Sequence, residues 1–382
     1  MFNILTLNKI SAFGLERFSS DKYVYGESIA QPDAVMVRSA SMIDMEIPAS
    51  VLAIARAGAG VNNIPVDACT EKGIVVFNTP GANANAVKEL VLCALLLSSR
   101  KVPEALEWCK TLKGEGEQVC KLVEKGKSAF TGQEVMGKTL GVIGLGAIGI
   151  LVANTALAFG MDVVGCDPFL SVNNALSIDP RVKVVGNVDE VLAVSDYITL
   201  HTPLNDSTRD LINAKSIALM KDGVRILNFA RGELVNSADI IAALENEKVA
   251  AYATDFPTDA QICSKGVIAI PHLGASTPES EDNCAVMGAN QLVAYLERGE
   301  IVNSVNLPLT QLPMTFTTRV CVIHKDAEGV QANIAAALAG CSINSLTSAV
   351  KKGWAYTVAD INGSADADKI AKIDGVVKVR IL

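Results

Sequence analysis

The stretch TLGVIGLGAIG (Thr139–Gly149) decides the fold of this chain. Thr139–Ile143 is a short apolar run suited to a buried strand. Gly144, Gly146 and Gly149 follow it at the head of a helix-forming segment. The first glycine permits a tight turn, the second lets backbone amides approach a pyrophosphate, and the third lets helix and strand pack closely. A helix beginning there offers free N–H groups and the positive end of its dipole to an anion; Ala147 and Ile148 lie in its first turn. The next strand ends on Asp167, 18 residues beyond Gly149, near the separation of about 20 expected for an acid that binds ribose hydroxyls. An acid at a strand end is also a common turn former, and it is the glycines before it that favour the ribose reading. Pro168 and Phe169 come next rather than Arg or Lys, so NAD is favoured over NADP.

Working outward, Thr139–Met161 carries no charge over 23 residues, long enough to span a bilayer. Its clustered glycines fit strand, turn and helix better, and no membrane association is expected. A chain of 382 residues predicts two or three domains at about 100–200 residues each. It is 50% hydrophobic but only 5% aromatic, a balance that suits parallel sheets covered by helices. The net charge of −8 argues against a general nucleic-acid-binding surface and leaves room for a local basic pocket. Nine cysteines without a CxxC pair and three histidines lack the ligand pattern of a zinc site, so no metal is expected. Free thiols in a reducing cytoplasm are the simplest reading, and MFNILTLNKI lacks a secretory pattern.

Short apolar strands are expected at Asn3–Leu7, Ala34–Arg38, Leu52–Ala57 and Val75–Asn78, then at Thr139–Ile143, Asp162–Asp167, Val182–Val185, Tyr197–His201, Arg225–Phe229, Ala250–Thr254 and Val267–Ile270. Residues 101–137 read as helix, exposed turn and helix, and a long helix is expected over Ser280–Arg298. Ile301–Thr318 has no charge, holds Pro308 and Pro313, and lacks helical period; it reads as an interdomain linker. Arg319–Leu382 shows a strand-helix-strand-strand-helix-strand pattern.

Two residues after strands carry the chemistry. Arg231 in NFARG is placed to hold a substrate carboxylate bidentately and polarise the neighbouring carbonyl. His272 in IPHLGAST is placed to exchange a proton with it. Singly, such an arginine is more often a surface ion-pair partner and such a histidine as often structural. Their shared location after strands of a doubly wound sheet, where ligands bind, favours the catalytic reading.

GVIGLGAIG, HTPLNDSTR (His201–Arg209), NFARGELV (Asn228–Val235) and PHLGAST (Pro271–Thr277), in that order, resemble the NAD-dependent D-2-hydroxyacid dehydrogenases. VRSA (Val37–Ala40), ARAGAGVNN (Ala55–Asn63) and VFNTPGANANAV (Val76–Val87) look like the branch of that family that oxidises 3-phosphoglycerate to 3-phosphohydroxypyruvate, the first step of phosphorylated serine biosynthesis. The resemblance covers about residues 34–307. It implies an α/β protein in which a Rossmann-type NAD domain (86–274) is inserted in a flavodoxin-like α/β substrate domain (1–85 and 275–307). A linker (308–318) and a C-terminal βαββαβ ACT domain (319–382) follow.

The resemblance also implies that Arg231 binds substrate and that His272 is the acid/base. NAD is then held by Gly144, Gly146, Ala147, Ile148, Gly149, Asp167, His201, Thr202, Ala230, Arg231, Asp255, His272 and Gly274. In that family a glutamate orients the histidine. Here the segment reads TDFPTDAQ, with Asp255 and Asp259 but no Glu. Asp259 is matched to the role, leaving Asp255, the implied nicotinamide-side ligand, one residue too close. A carboxylate beside an imidazole favours its charged form and fixes its tautomer.

Arg38 (with Ser39) and Arg56 are the cationic candidates for the substrate phosphate, against surface ion pairing as the alternative. The amides of Gly58, Ala59, Gly60 and Val61 are candidates for the carboxylate in an anion-binding nest. Lys88 has no derivable role. In the tail, His324, Asp326 and Asn344 match positions that hold serine in some relatives; the alternative is that they cap turns and the module serves assembly. A homodimer or homotetramer is implied. The rival readings are a glyoxylate or hydroxypyruvate reductase of the same family and, more remotely, an NAD-sensing corepressor-like protein.

Overall fold

The computed structural model describes residues 1–313 and 318–382. Two compact units divide the chain: Met1–Asn83 with Pro278–Leu382, and Ala84–Thr277. The second is therefore an insertion in the first.

In the first unit, β1 (Phe2–Leu7), β2 (Tyr23–Gly26), β3 (Ala34–Val37), β4 (Ala53–Arg56) and β5 (Val75–Phe77) form a parallel sheet in the order β2-β1-β3-β4-β5. This is the flavodoxin-like order. Every residue of β3 and β5 is buried, as expected of apolar strands covered on both faces. The helix Pro278–Arg298 lays Ala285, Ala289, Leu292 and Tyr295 into the core with Ile4, Met36 and Phe77. Strand β2 has no counterpart among the expected strands. It lies at the sheet edge with Val24 and Tyr25 exposed, so it lacks the buried apolar run that marks the others.

The second unit contains β6 (Thr139–Ile143), β7 (Asp162–Cys166), β8 (Lys183–Val184), β9 (Tyr197–Leu200), β10 (Val224–Asn228), β11 (Val249–Thr254) and β12 (Val267–Ala269). All are parallel, in the order β12-β11-β10-β9-β6-β7-β8. Counted within the unit this is the Rossmann order 3-2-1-4-5-6 with one further strand. The order reverses between β6 and β9, which makes the carboxyl ends of those strands the switch point where ligands bind. Thr139–Met161 is strand, turn and helix, and among the described residues no helix is long and apolar enough to cross a membrane.

At the C-terminus β13 (Thr318–Lys325), β14 (Ser342–Lys351), β15 (Trp354–Asn362) and β16 (Val376–Ile381) form an antiparallel sheet, β14-β15-β13-β16. With helices Val330–Ala337 and Ala367–Ala371 the order is βαββαβ.

The linker expectation over Ile301–Thr318 needs correction in its first part. Ile301 pairs with Thr310, Ser304 bridges to Phe77, and Ile301 and Leu307 are buried. The buried Asn306 side chain accepts from the Val76 amide at 2.9 Å and donates to Thr70 Oγ1 and Ile74 O, each at 2.9 Å. Prolines and missing charge mark a docked edge segment here. Residues 314–317 of the expected linker lie outside the described residues. All nine cysteines are unpaired.

Candidate active site

The turn after β6 is built as its glycines require. Gly144 has φ +95°, and a Cβ there would stand 2.6 Å from His201 O. A Cβ on Gly149 would stand 2.0 Å from Gly144 O. Gly146 differs: it caps the helix Ala147–Ala158, and a Cβ there would meet nothing within 4 Å. The first-turn amides, those of Ala147 and Ile148 among them, thus face an open cradle at the positive end of a twelve-residue helix. Asp167 stands after β7, its Oδ2 accepting from the Leu145 amide and Oδ1 from the Phe169 amide, each at 2.9 Å. These bonds fix the carboxylate beside the turn and leave lone pairs for further donors.

Across the switch point, His201 Nε2 meets Thr199 Oγ1 at 2.9 Å. Burial pushes its imidazole down to about 4, so it is neutral at physiological pH. Thr202 Oγ1 is buried without a partner. This hydroxyl, beside the Gly144 turn, leaves a donor and an acceptor open to a bound group.

The second half of the site lies past β10, β11 and β12. Asn228, fully buried at the end of β10, donates from Nδ2 to Arg231 O at 2.9 Å and to the Tyr252 hydroxyl at 3.3 Å. Its Oδ1 accepts from the Ala230 amide at 3.2 Å. One side chain therefore shapes the loop that presents Arg231. The exposed Arg231 donates from Nη1 to Ala230 O at 2.6 Å, and its guanidinium carbon lies 5.9 Å from the centre of the Phe256 ring. His272, also exposed, sets its ring 4.4 Å from the same Phe256 ring, tilted by 46°.

Asp255 is 2% exposed. Its Oδ2 accepts from the Gly274 amide at 3.2 Å, while Oδ1 is buried without a partner. Burial pushes its carboxyl above the ordinary range, against the pull of His272, the Gly274 amide and Arg231.

Arg231, His272, Asp255, Ala230 and Gly274 are thus gathered at one end of the sheet. Asp259 is not gathered with them. It is exposed, and among the described residues it makes no hydrogen bond or ion pair with His272. Asn228 and Phe256 were not singled out by sequence reasoning. A polar residue closing the apolar strand Val224–Asn228 was a readable signal for the first; Phe256 had none beyond its place after Asp255.

The first-unit candidates are described on their own. Arg38 pairs with Glu281, both 40% exposed at the side chain. The Ser39 amide donates to Asn8 Oδ1 at 3.1 Å. Gly58 has φ +150°, and a Cβ there would lie 1.3 Å from Arg56 Nη1, so only glycine lets the guanidinium cross this loop. The Gly58 amide donates to Arg56 O at 2.8 Å, whereas those of Ala59, Gly60 and Val61 donate to no group among the described residues.

Lys88 donates to Asn85 Oδ1 at 2.6 Å. In the C-terminal sheet His324 is buried, its ring nitrogens at 2.9 Å from Thr357 Oγ1 and 2.8 Å from Lys325 O. Asp326 and Asn344 are exposed.

Residues 92–274 match the family description "D-isomer specific 2-hydroxyacid dehydrogenase, NAD binding domain". Over that span the chain is similar to the NAD-binding domain of the D-isomer specific 2-hydroxyacid dehydrogenases. The chain is 34% identical to the D-3-phosphoglycerate dehydrogenase of Bacillus subtilis over 326 residues, covering 81% of this chain and 59% of that protein. It thus spans less than two thirds of that curated relative. Among solved structures, the NAD+-bound 3-phosphoglycerate dehydrogenase of Entamoeba histolytica is 25% identical with a TM-score of 0.60, over 81% of this chain and 99% of that one. A glyoxylate reductase from Paecilomyes thermophila is 28% identical with a TM-score of 0.65, over 80% and 98%. The open Gly146 cradle and the orphaned oxygens of Thr202 and Asp255 fit the cofactor of an NAD-binding domain of this family.

Proposed function

We propose that this protein is a D-2-hydroxyacid dehydrogenase that oxidises C2 of 3-phosphoglycerate to give 3-phosphohydroxypyruvate, and that it runs the reverse reduction. The observation that carries the reading is the convergence of Arg231 and His272 on Phe256, beside the buried Asp255, in an NAD-binding domain of this family. When bound, NAD supplies the two-electron acceptor. Gly144, Gly146, Ala147, Ile148 and Gly149 hold its pyrophosphate, and Asp167 its ribose. His201, Thr202, Ala230, Asp255 and Gly274 line the remaining cofactor site.

Arg231 holds the substrate carboxylate and the C2 oxygen by charge-assisted bonds from its fork. His272 takes the C2 hydroxyl proton on oxidation and returns it on reduction. To accept that proton the imidazole must present an unprotonated ring nitrogen to the hydroxyl. Arg38 and Arg56 are assigned to the phosphate. The free amides of Ala59, Gly60 and Val61 support a second anion contact there.

Replacing Arg231 or His272 by Ala should lower kcat/KM by about 10²–10⁴-fold, with NADH affinity, read by fluorescence titration, largely kept. Near-normal turnover in either variant overturns the assigned roles.

A glyoxylate or hydroxypyruvate reductase is the second reading, favoured by the fold likeness to the glyoxylate reductase structure and by the pairing of Arg38 with Glu281. The βαββαβ module is assigned as an ACT-type regulatory domain with serine as effector. Asp326 and Asn344 are its accessible candidates, and His324 is held inside the sheet. The helices Val102–Thr111 and Val119–Gly126, which bury no residue, support assembly as a homodimer or homotetramer. Light scattering and calorimetry with serine check these last two assignments, and unpaired cysteines support a cytoplasmic setting.

A further inference from the structure

We infer that Phe256 is the residue that orients His272, standing in for the carboxylate that does so elsewhere in the family; this rests on the reading of His272 as acid/base. Neither carboxylate of this segment is bonded to the imidazole among the described residues. Asp259 is exposed and unattached to His272 among the described residues. Asp255 precedes the ring, is buried, and has one oxygen committed to the Gly274 amide. What touches the imidazole is the phenyl ring, 4.4 Å away between centroids.

Phe256 is itself held in place. Its amide donates to Thr254 Oγ1 at 3.1 Å, at the end of β11. Gly232, in the loop that carries Arg231, passes so close that a Cβ there would stand 3.2 Å from Phe256 Cβ. The loop after β10 and the loop after β11 are therefore packed together around this side chain. The Arg231 guanidinium lies over the ring that His272 also contacts.

The charged groups facing His272 are Asp255, from the residue before the ring, and Arg231, from the loop after β10. Neither makes a hydrogen bond to its imidazole among the described residues. The ring works by contact: a tilted aromatic pair limits imidazole rotation without fixing a tautomer or adding a charge. One aromatic side chain thus sets the bearing of both the proton carrier and the carboxylate-binding arginine. Phe256 is a positioning residue.

Histidine NMR of the free protein tests this directly, because the chain has only three histidines. The His272 ring protons, assigned by their loss in His272→Gln, should carry an upfield ring-current displacement. Phe256→Leu should remove it and Phe256→Tyr keep it, with the His201 and His324 signals in place. In turnover Phe256→Leu should lose about 10–100-fold in kcat, the scale of a small misplacement of a reacting group, and Phe256→Tyr should recover most of it. If Phe256→Leu does not fold, Phe256→Met removes the ring with more adaptable packing.

Unchanged His272 signals in the Leu or Met variant overturn the inference. So does a displacement produced by Asp259→Asn and not by loss of the ring. The NMR readout needs no turnover, so it fails separately from the acid/base reading, which His272→Ala tests.

Discussion

Asp255 shows how a single residue is held against its own preference. A carboxylate with one oxygen bonded and the other buried without a partner is disfavoured in its charged form, and its folded-state affinity for a proton is raised. The sign follows from linkage: where the folded state binds the proton more tightly than the unfolded chain, stability falls as pH rises through the carboxylate range. Asp255→Asn should therefore be more stable than the parent at pH 7 by about 1 kcal/mol. The difference should shrink at pH 4, as measured by urea unfolding. Equal stabilities at both pH values would show that the burial carries no strain. Asn228 is the opposite case, a buried polar group fully used: its amide holds Ala230, Arg231 and Tyr252 at once. Residue types singled out Arg231 and His272, which the fold brings to one aromatic ring. They gave no means of seeing that Asp259 stays in solvent, because a loop's direction is set by packing remote in sequence.

At the scale of elements, three glycines spaced over six residues have three different physical demands, and the demands separate by experiment. Gly144→Ala forces a side chain into φ +95° and against the His201 carbonyl, so it should destabilise the fold by about 1–3 kcal/mol. Gly146→Ala adds a methyl group to open space at ordinary φ. It should leave the melting temperature nearly unchanged while weakening NAD binding about tenfold or more, if that space is the pyrophosphate's as proposed. Calorimetric titration with NADH beside thermal melts reads both. A Gly146→Ala protein that binds NADH normally would remove the cofactor from this turn. The strands of the two parallel sheets were legible because buried strands are continuous apolar runs between turn residues. Tyr23–Gly26 was not, since an exposed edge strand carries no such run. Residues 301–310 misled for a related reason: prolines and missing charge mark both linkers and segments docked on a sheet edge, and the deciding bonds of Asn306 span 230 residues or more.

At the scale of the whole molecule, the aliphatic, aromatic-poor composition is accounted for by two parallel sheets whose central strands are buried on both faces. The C-terminal sheet adds something that composition could not convey. Cys321, Ile323, Tyr356 and Val358 share a core with Phe77 and Tyr295 of the first unit. The buried Arg319 bonds Asp360 at 2.8 Å and the Arg298 carbonyl at 2.7 Å. The module is thus packed onto the long helix that follows the inserted unit. A net charge of −8 is compatible with an acidic substrate if a cation meets it where it binds, and Arg231 is the one proposed for its carboxylate. The most direct test of the account follows NADH consumption by the purified protein with 3-phosphohydroxypyruvate, hydroxypyruvate, glyoxylate and pyruvate side by side. The account predicts that kcat/KM for the phosphorylated acid exceeds the others by about 10²-fold or more, the scale of a single charge-assisted hydrogen bond to the phosphate. Equal rates on all four, or none on any, would contradict it.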